Sequence, residues 1–228
     1  PRALSRILVA LGSILGVLVS LDALWLTLFW TLSLMPLYMA LRGPSASAAD
    51  RRARTAFKLV FFGSNLPMLL FIALLALAPP TDGANPATLD ALHRAPFDLL
   101  VLGQSGVLSH GRYGMLLGCL LLLGALSRMG CFPLHIWIPQ LAERAPGPLA
   151  LTSFATPLGI FVVTRVLLPL LPDLSARAMP ILLPLGVVSA LYGAVVALGQ
   201  HDLRRMLGYF WISQQGFLLS GLATLTPE

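Results

Sequence analysis

Only 11% of the 228 residues are charged and 57% are hydrophobic, against about 25% charged in a soluble domain, so the chain cannot cover a water-soluble body of its size. Its net charge of +6 and pI near 10.2 would suit nucleic acid. However, the basic residues sit between long apolar runs, as they do in the cytoplasmic loops of membrane proteins, so nucleic acid is excluded as a partner.

The expected partner is the lipid bilayer, and the expected fold is an all-α transmembrane, polytopic helical bundle: one transmembrane domain over 1–228, with about seven helices. The chain starts at Pro1, without Met, and enters an apolar run almost at once. We therefore expect a fragment, with helices missing on both sides.

The runs are Ala3–Ser20, Ala23–Leu41, Ala56–Ala78, Tyr113–Glu143, Leu149–Leu170, Pro180–Leu198 and Met206–Leu225. Asp22 stands at the head of the second run and reads as a solvated helix-start carboxylate. Pro36 removes the hydrogen bond to Leu32 and predicts a kink there, with Thr31 and Ser33 placed to satisfy freed backbone groups. In the third run Pro67 weakens the ladder. Ser64 and Asn65 either line a polar path or act as helix–helix glue. The segment 79–112 is rich in Pro, Gly and Asp and reads as an outside loop, with a short surface helix over Pro86–Leu92.

The fourth run does not fit a straight helix. Tyr113–Glu143 would be about 46 Å long at 1.5 Å per residue, and it contains Gly130, Pro133 and Pro139. These residues predict two half-helices, about Tyr113–Arg128 and Leu134–Leu141, joined near mid-depth. Irregular backbone at that depth lies in protein or beside a water-lined cavity, and discontinuous helices mark ion-handling transporters. Cys119 and Cys131 fall in this run and read as packed thiols. In the later runs, Arg165 is expected to snorkel outward. His201, Asp202, Arg204 and Arg205 form a loop whose role is topology and local ion pairing.

Charge sets the orientation. With the N-terminus inside, the inside segments hold Arg2, Arg6, Arg42, Arg51, Arg52, Arg54, Lys58, Arg144, Arg204 and Arg205, and the outside segments hold Arg94, Arg112 and Arg177. The excess supports a cytoplasmic N-terminus.

Arg128 is the sharpest chemical signal, because a permanent charge within a span costs about 2.5–3.5 kcal/mol on insertion scales. It falls at the C-terminal end of a half-helix, whose carbonyls carry partial negative charge. Two readings stand: a functional charge, or a structural arginine tied to those carbonyls or snorkelling. His135, beside the break, either relays protons near neutral pH or caps freed carbonyls. Trp137 reads as packing. No nucleotide cradle, nucleophile triad or metal cluster is seen in the sequence. No residue is therefore assigned to catalysis, to a cofactor or to a metal, and the chain reads as a non-catalytic part of any enzyme it serves.

Several segments resemble one family. Phe132-Pro133-Leu134-His135-Ile136-Trp137-Ile138-Pro139 is similar to the FPxHxWLP signature after the broken helix of the antiporter-like subunits. That family comprises membrane subunits of respiratory complex I, Mrp-type sodium/proton antiporters and membrane-bound hydrogenase subunits. Val17–Tyr38, with Ser20-Leu21-Asp22 and Phe29-Trp30, resembles its SLD…FWE…PLY helix pair. Tyr192-Gly193-Ala194 and Asp202–Tyr209 resemble YGA…DLKRLIAY, and Ile212–Phe217 resembles ISHMGF. The matches occur in family order over most of the chain. Ala145-Pro146 and the helix after it resemble the subunit-M type.

The resemblance implies part of an inverted-repeat antiporter-like fold, about half of a subunit of some fourteen helices. It implies a membrane subunit of a complex-I-type NADH:quinone oxidoreductase in a bacterial inner membrane, coupling electron transfer to proton translocation. The alternative is a subunit of a Mrp antiporter, a membrane hydrogenase or an inorganic-carbon uptake complex, or a non-pumping paralogue. The implied partners are other membrane subunits and protons or Na+. The expected ion path is drawn through Arg128, His135, Thr31, Asn65 and Gln214.

The departures carry a further expectation. The family's glutamate position is Thr31, its break lysine is Arg128, and its next lysine aligns with Pro157. Arginine stays charged, and threonine and proline do not titrate. The usual first-half relay is therefore expected to be lost or altered, leaving this half as scaffold.

Overall fold

The computed structural model describes residues 2–42, 47–77, 90, 94–105, 112–145 and 157–224. Ten helical segments are described, in chain order: α1 Arg2–Val19, α2 Ala23–Leu32, α3 Met35–Leu41, α4 Ala48–Ala76, α5 Leu99–Ser105, α6 Arg112–Met129, α7 Trp137–Arg144, α8 Leu158–Leu170, α9 Pro172–Leu198 and α10 Leu203–Ala223. Among the described residues the one non-helical pairing is an isolated antiparallel bridge between Asp22 and Asp98. The fold is an all-α transmembrane bundle, and among the described residues three helical stretches are long and apolar enough to cross a bilayer: Ala23–Leu41, Ala48–Ala76 and Pro172–Leu198.

Local chemistry sets most of the boundaries. Asp22 caps α2, accepting from Leu24 N at 2.8 Å and Trp25 N at 3.3 Å. The second apolar run then bends at Ser33–Leu34, where both residues keep right-handed helical φ and ψ and the ladder tightens to Leu34 N donating to Thr31 O at 3.2 Å. Pro36 sits in the first turn of α3, where its missing N–H leaves no gap in the ladder. At the bend Ser33 Oγ donates to Trp30 O at 2.7 Å, while Thr31 Oγ1 makes an i−4 back-bond to Thr27 O at 2.9 Å within α2.

α4 starts eight residues before the apolar run does, because Ser47 and Asp50 form a reciprocal capping box. Hydropathy finds the lipid-facing part of a helix, not its solvated first turns. α9 likewise begins at Pro172, in the first-turn position that proline favours, and runs through Pro180 and Pro184. The expected Leu149–Leu170 span is described only from Pro157 onward. It contains a π-helical turn at Val163–Leu167, with Arg165 exposed and stacked over the Phe161 ring at 5.8 Å. Most of the expected surface helix over 86–92 lies outside the described residues. The 79–112 segment holds the short α5, pinned by Leu99 N donating to Leu21 O at 2.9 Å and Ala23 N donating to Phe97 O at 2.8 Å.

Two apolar cores fill the bundle. One joins α1, α2, α4, α6 and α8 through Val17, Trp30, Phe71, Leu117, Leu121 and Val162. The other joins α3, the start of α4, α7 and α10 through Leu37, Phe57, Val60, Trp137, Leu141 and Ile212. α9 and α10 touch almost backbone to backbone. A Cβ on Gly193 would come within 2.5 Å of Ser213 N and 2.7 Å of Tyr209 O. Small residues at such a seam let helices pack closely in lipid, where the hydrophobic effect does not press them together.

Candidate functional site: two facing helix breaks

The fourth apolar run is discontinuous, as its glycine and prolines require. α6 ends at Met129, residues 132–136 form turns, and α7 begins at Trp137, three residues later than the sequence suggests. Gly130 makes the turn possible. Its φ is +65°, a conformation other residues adopt only with strain, and a Cβ there would collide with the Ile138 side chain. Pro139 is buried at the third position of α7, where a missing N–H is tolerated because first-turn donors have no intrahelical acceptor. Trp137 does more than pack. Its indole Nε1 donates at 3.0 Å to Ser127 O, a carbonyl in the last turn of α6, and so closes the gap.

This break faces the bend between α2 and α3. Arg128 is only 6% exposed, and its Nη2 donates at 2.5 Å to Ser33 Oγ, at the junction of α2 and α3. Its guanidinium carbon lies 5.3 Å from the ring of the fully buried Trp30. The charge is thus held by one charge-assisted hydrogen bond and one cation–π contact. Of the sequence alternatives, snorkelling and capping by α6 carbonyls are not what holds it; a hydroxyl from another helix does. No carboxylate among the described residues pairs with it. Among the described residues, Arg128 Nη1, Trp30 Nε1 and Ser64 Oγ are buried without a protein hydrogen-bond partner.

Thr31 and Asn65 meet: Thr31 Oγ1 lies 3.0 Å from Asn65 Oδ1, and Asn65 Nδ2 donates to Phe61 O at 2.9 Å. Asn65 therefore glues α4 to α2. The threonine has a single hydrogen, shared between this contact and Thr27 O. Ser64 is fully buried beside it. His135, 8% exposed, places Nε2 3.2 Å from the Tyr192 hydroxyl on α9, with the ring stacked on Phe132. Its hydrogen-bond partner is thus on a different helix from that of Arg128. Gln214 is exposed, one residue from the buried Gln215.

Sequence reasoning missed the Ser33 contact to Arg128, the Ser189 hydroxyl that accepts from Phe132 N at 2.9 Å, and Tyr192. The kink at Pro36 is the one signal that could have drawn attention to Ser33. In the 201–205 loop Asp202 caps α10 and Arg204 Nη1 donates to the Glu143 main-chain carbonyl at 3.3 Å, contacts other than the expected ion pairs. Arg144 at the end of α7 forms an ion pair with Asp50 at 2.7 Å and donates to Ser47 Oγ at 2.9 Å.

Interrupted helices around a buried charge, in an all-helical membrane bundle, define the antiporter-like class of membrane fold. The chain belongs to the NADH:quinone oxidoreductase/Mrp antiporter transmembrane family, which it matches over residues 20–228. It is 30% identical over 221 residues to NADH-quinone oxidoreductase subunit M of Escherichia coli strain K12, covering 94% of this chain and 41% of that protein. The fold is also seen in respiratory complex I from Thermus thermophilus, with a TM-score of 0.80 and 24% identity over 97% of this chain and 44% of that one. The Mrp complex from Dietzia sp. gives a TM-score of 0.74 with 22% identity, covering 96% of this chain and 22% of that one. The chain thus spans about two-fifths of the length of the E. coli relative.

Proposed function

We propose that this chain is part of a membrane subunit of a complex-I-type NADH:quinone oxidoreductase that takes part in proton translocation coupled to electron transfer, and that the described half is scaffold and not relay. The observation that carries the scaffold reading is Arg128, enclosed between a helix break and a helix bend and bonded to a serine. A proton relay needs groups that gain and lose charge near neutral pH, and a guanidinium does not. Thr31, at the family's glutamate position, is engaged with Asn65 and Thr27 and does not ionise. Family membership and the similarity to subunit M support the assignment to a complex-I-type assembly. The similarity to the Mrp complex keeps a cation/proton antiporter as the second reading, with Na+ in place of protons. The other partners are membrane subunits of the same assembly. The membrane is a bacterial inner membrane, with the first residues on the cytoplasmic side.

The test is Arg128→Ala in the full-length subunit within its assembly, reconstituted into vesicles. The expected result is less assembled complex, with the number of protons moved per electron unchanged in what does assemble. Full assembly with that ratio reduced would make Arg128 part of the pump. Assembly and ratio both unaltered would remove it from either role.

A further inference from the structure

On the outer face of the bundle, a cavity of about 430 Å³ opens between the end of α3 and the first turns of α4. It is lined by Tyr38, Leu41, Arg42, Arg54, Phe57 and Lys58. Three of these six are cations, and none is an acid. Arg42 stands over the Tyr38 ring at 5.7 Å, which fixes its direction. The cavity continues through Tyr38, Phe57 and Lys58 into a second one of about 450 Å³, whose remaining walls are Leu28, Thr31, Leu32, Met35, Phe61 and Phe62. Lys58 and Phe62 also border a third, of about 500 Å³, on the other side of α4, lined by Leu59, Leu134 and Ile136 among others. A cationic mouth thus leads into two apolar grooves, one on each side of α4.

Depth identifies the occupant. α4 has 29 residues and is about 44 Å long, roughly 14 Å more than the hydrocarbon thickness. Its charged residues are Asp50, Arg51, Arg52, Arg54 and Lys58, so the overhang is at its N-terminal end. Arg54 and Lys58, one helical turn apart, therefore stand at headgroup level, and the grooves descend into the acyl region. Arg42 and Lys58 at the mouth, with Lys58 also bordering both apolar grooves, complement a phosphate carrying two hydrocarbon chains. A transmembrane helix, whether from the rest of the same subunit or from a neighbour, would fill the grooves but would need to bring an acid to match the mouth.

We propose that this site binds an anionic phospholipid, its phosphate held by Arg42 and Lys58 and its acyl chains lying in the grooves flanking α4. The proposal rests on the cavities alone and is independent of whether this half of the protein moves protons. The test uses native mass spectrometry of the full-length protein in its assembly, with dioleoyl phosphatidylglycerol, dioleoyl phosphatidylcholine or inorganic phosphate added. Phosphatidylglycerol should be retained preferentially. Retention should fall by roughly twenty-five-fold in the double variant Arg42→Gln/Lys58→Gln, at about a fivefold loss per cation. The control Arg51→Gln/Arg52→Gln removes the same charge from α4 outside the cavity and should leave retention unchanged. Leu28→Trp keeps every charge, fills one groove and should also lower retention; it serves if the double variant does not assemble. Equal loss in both charge pairs would mean general surface attraction. Inorganic phosphate competing as well as the lipid would mean a free-anion site. No preference over phosphatidylcholine, or a protein segment crosslinked into the groove, would mean that no such lipid site exists. Each of these results overturns the proposal.

Discussion

Ser33 and Arg128 are 95 residues apart in sequence, and each solves a problem the other has. The arginine needs an acceptor for a charge removed from water. The serine stands at a helix bend, where its hydroxyl also takes up the Trp30 carbonyl. Removing the acceptor leaves a buried charged donor with one contact fewer, a loss of about 1.5–3 kcal/mol for a hydrogen bond to a charged group. Ser33→Ala should therefore lower stability by about 2 kcal/mol, and Ser33→Thr, which keeps the hydroxyl, by less. Unfolding in mixed micelles would show it, and equal stability of Ser33→Ala and the parent would mean the contact carries no weight. Arg128 itself was legible in the sequence as a charge inside a span. Its partner was not, because a serine carries no distinguishing mark and the pairing depends on how α2 and α6 lie against each other. His135 was legible as polar and beside the break. Its partner Tyr192 lies 57 residues on and falls in a motif that says nothing of geometry.

At the scale of elements, the discontinuity in the fourth run follows from Gly130 and Pro133, which interrupt the ladder, while Pro139 fits only because it falls in the first turn of the helix that restarts. Helix starts were read less well. α4 and α9 begin eight residues before their apolar runs, because caps and first turns are polar and invisible to hydropathy. The bend at Ser33–Leu34 follows from Pro36, which sits in the first turn of α3. Gly130→Ala tests the turn. A Cβ at φ +65° costs about 1–2 kcal/mol in backbone strain, before the collision with Ile138 is added. The variant should be destabilised by at least that much, whereas Gly12→Ala, with open space around the added carbon, should be neutral or stabilising. Comparison of the two melting curves decides it, and equal stability would mean that Gly130 can relax out of its turn.

Over the whole molecule, charge distribution and family resemblance agree on a polytopic helical subunit, and the fold bears out that class. Orientation is a separate matter, carried by the excess of Arg and Lys on one set of loops. It predicts that a cysteine replacing Arg51 reacts with a membrane-impermeant thiol reagent from the cytoplasmic side, and one replacing Asp82 from the opposite side. Reversed labelling would invert the topology and, with it, the leaflet in which the headgroup cavity lies. What composition could not convey is how the polar groups are shared out. Arg128 is bonded to Ser33, Thr31 to Asn65, and His135 to Tyr192.

The indole of Trp137 has a mechanical consequence. It joins the first residue of α7 to Ser127, next to Arg128, while the last residue of α7, Arg144, is tied to Asp50. These eight residues form a short axle gripped at both ends. Torque applied at the Asp50 end has a direct route to the guanidinium, so movement at the bundle's rim could be felt in its interior without any charge being transferred along the way.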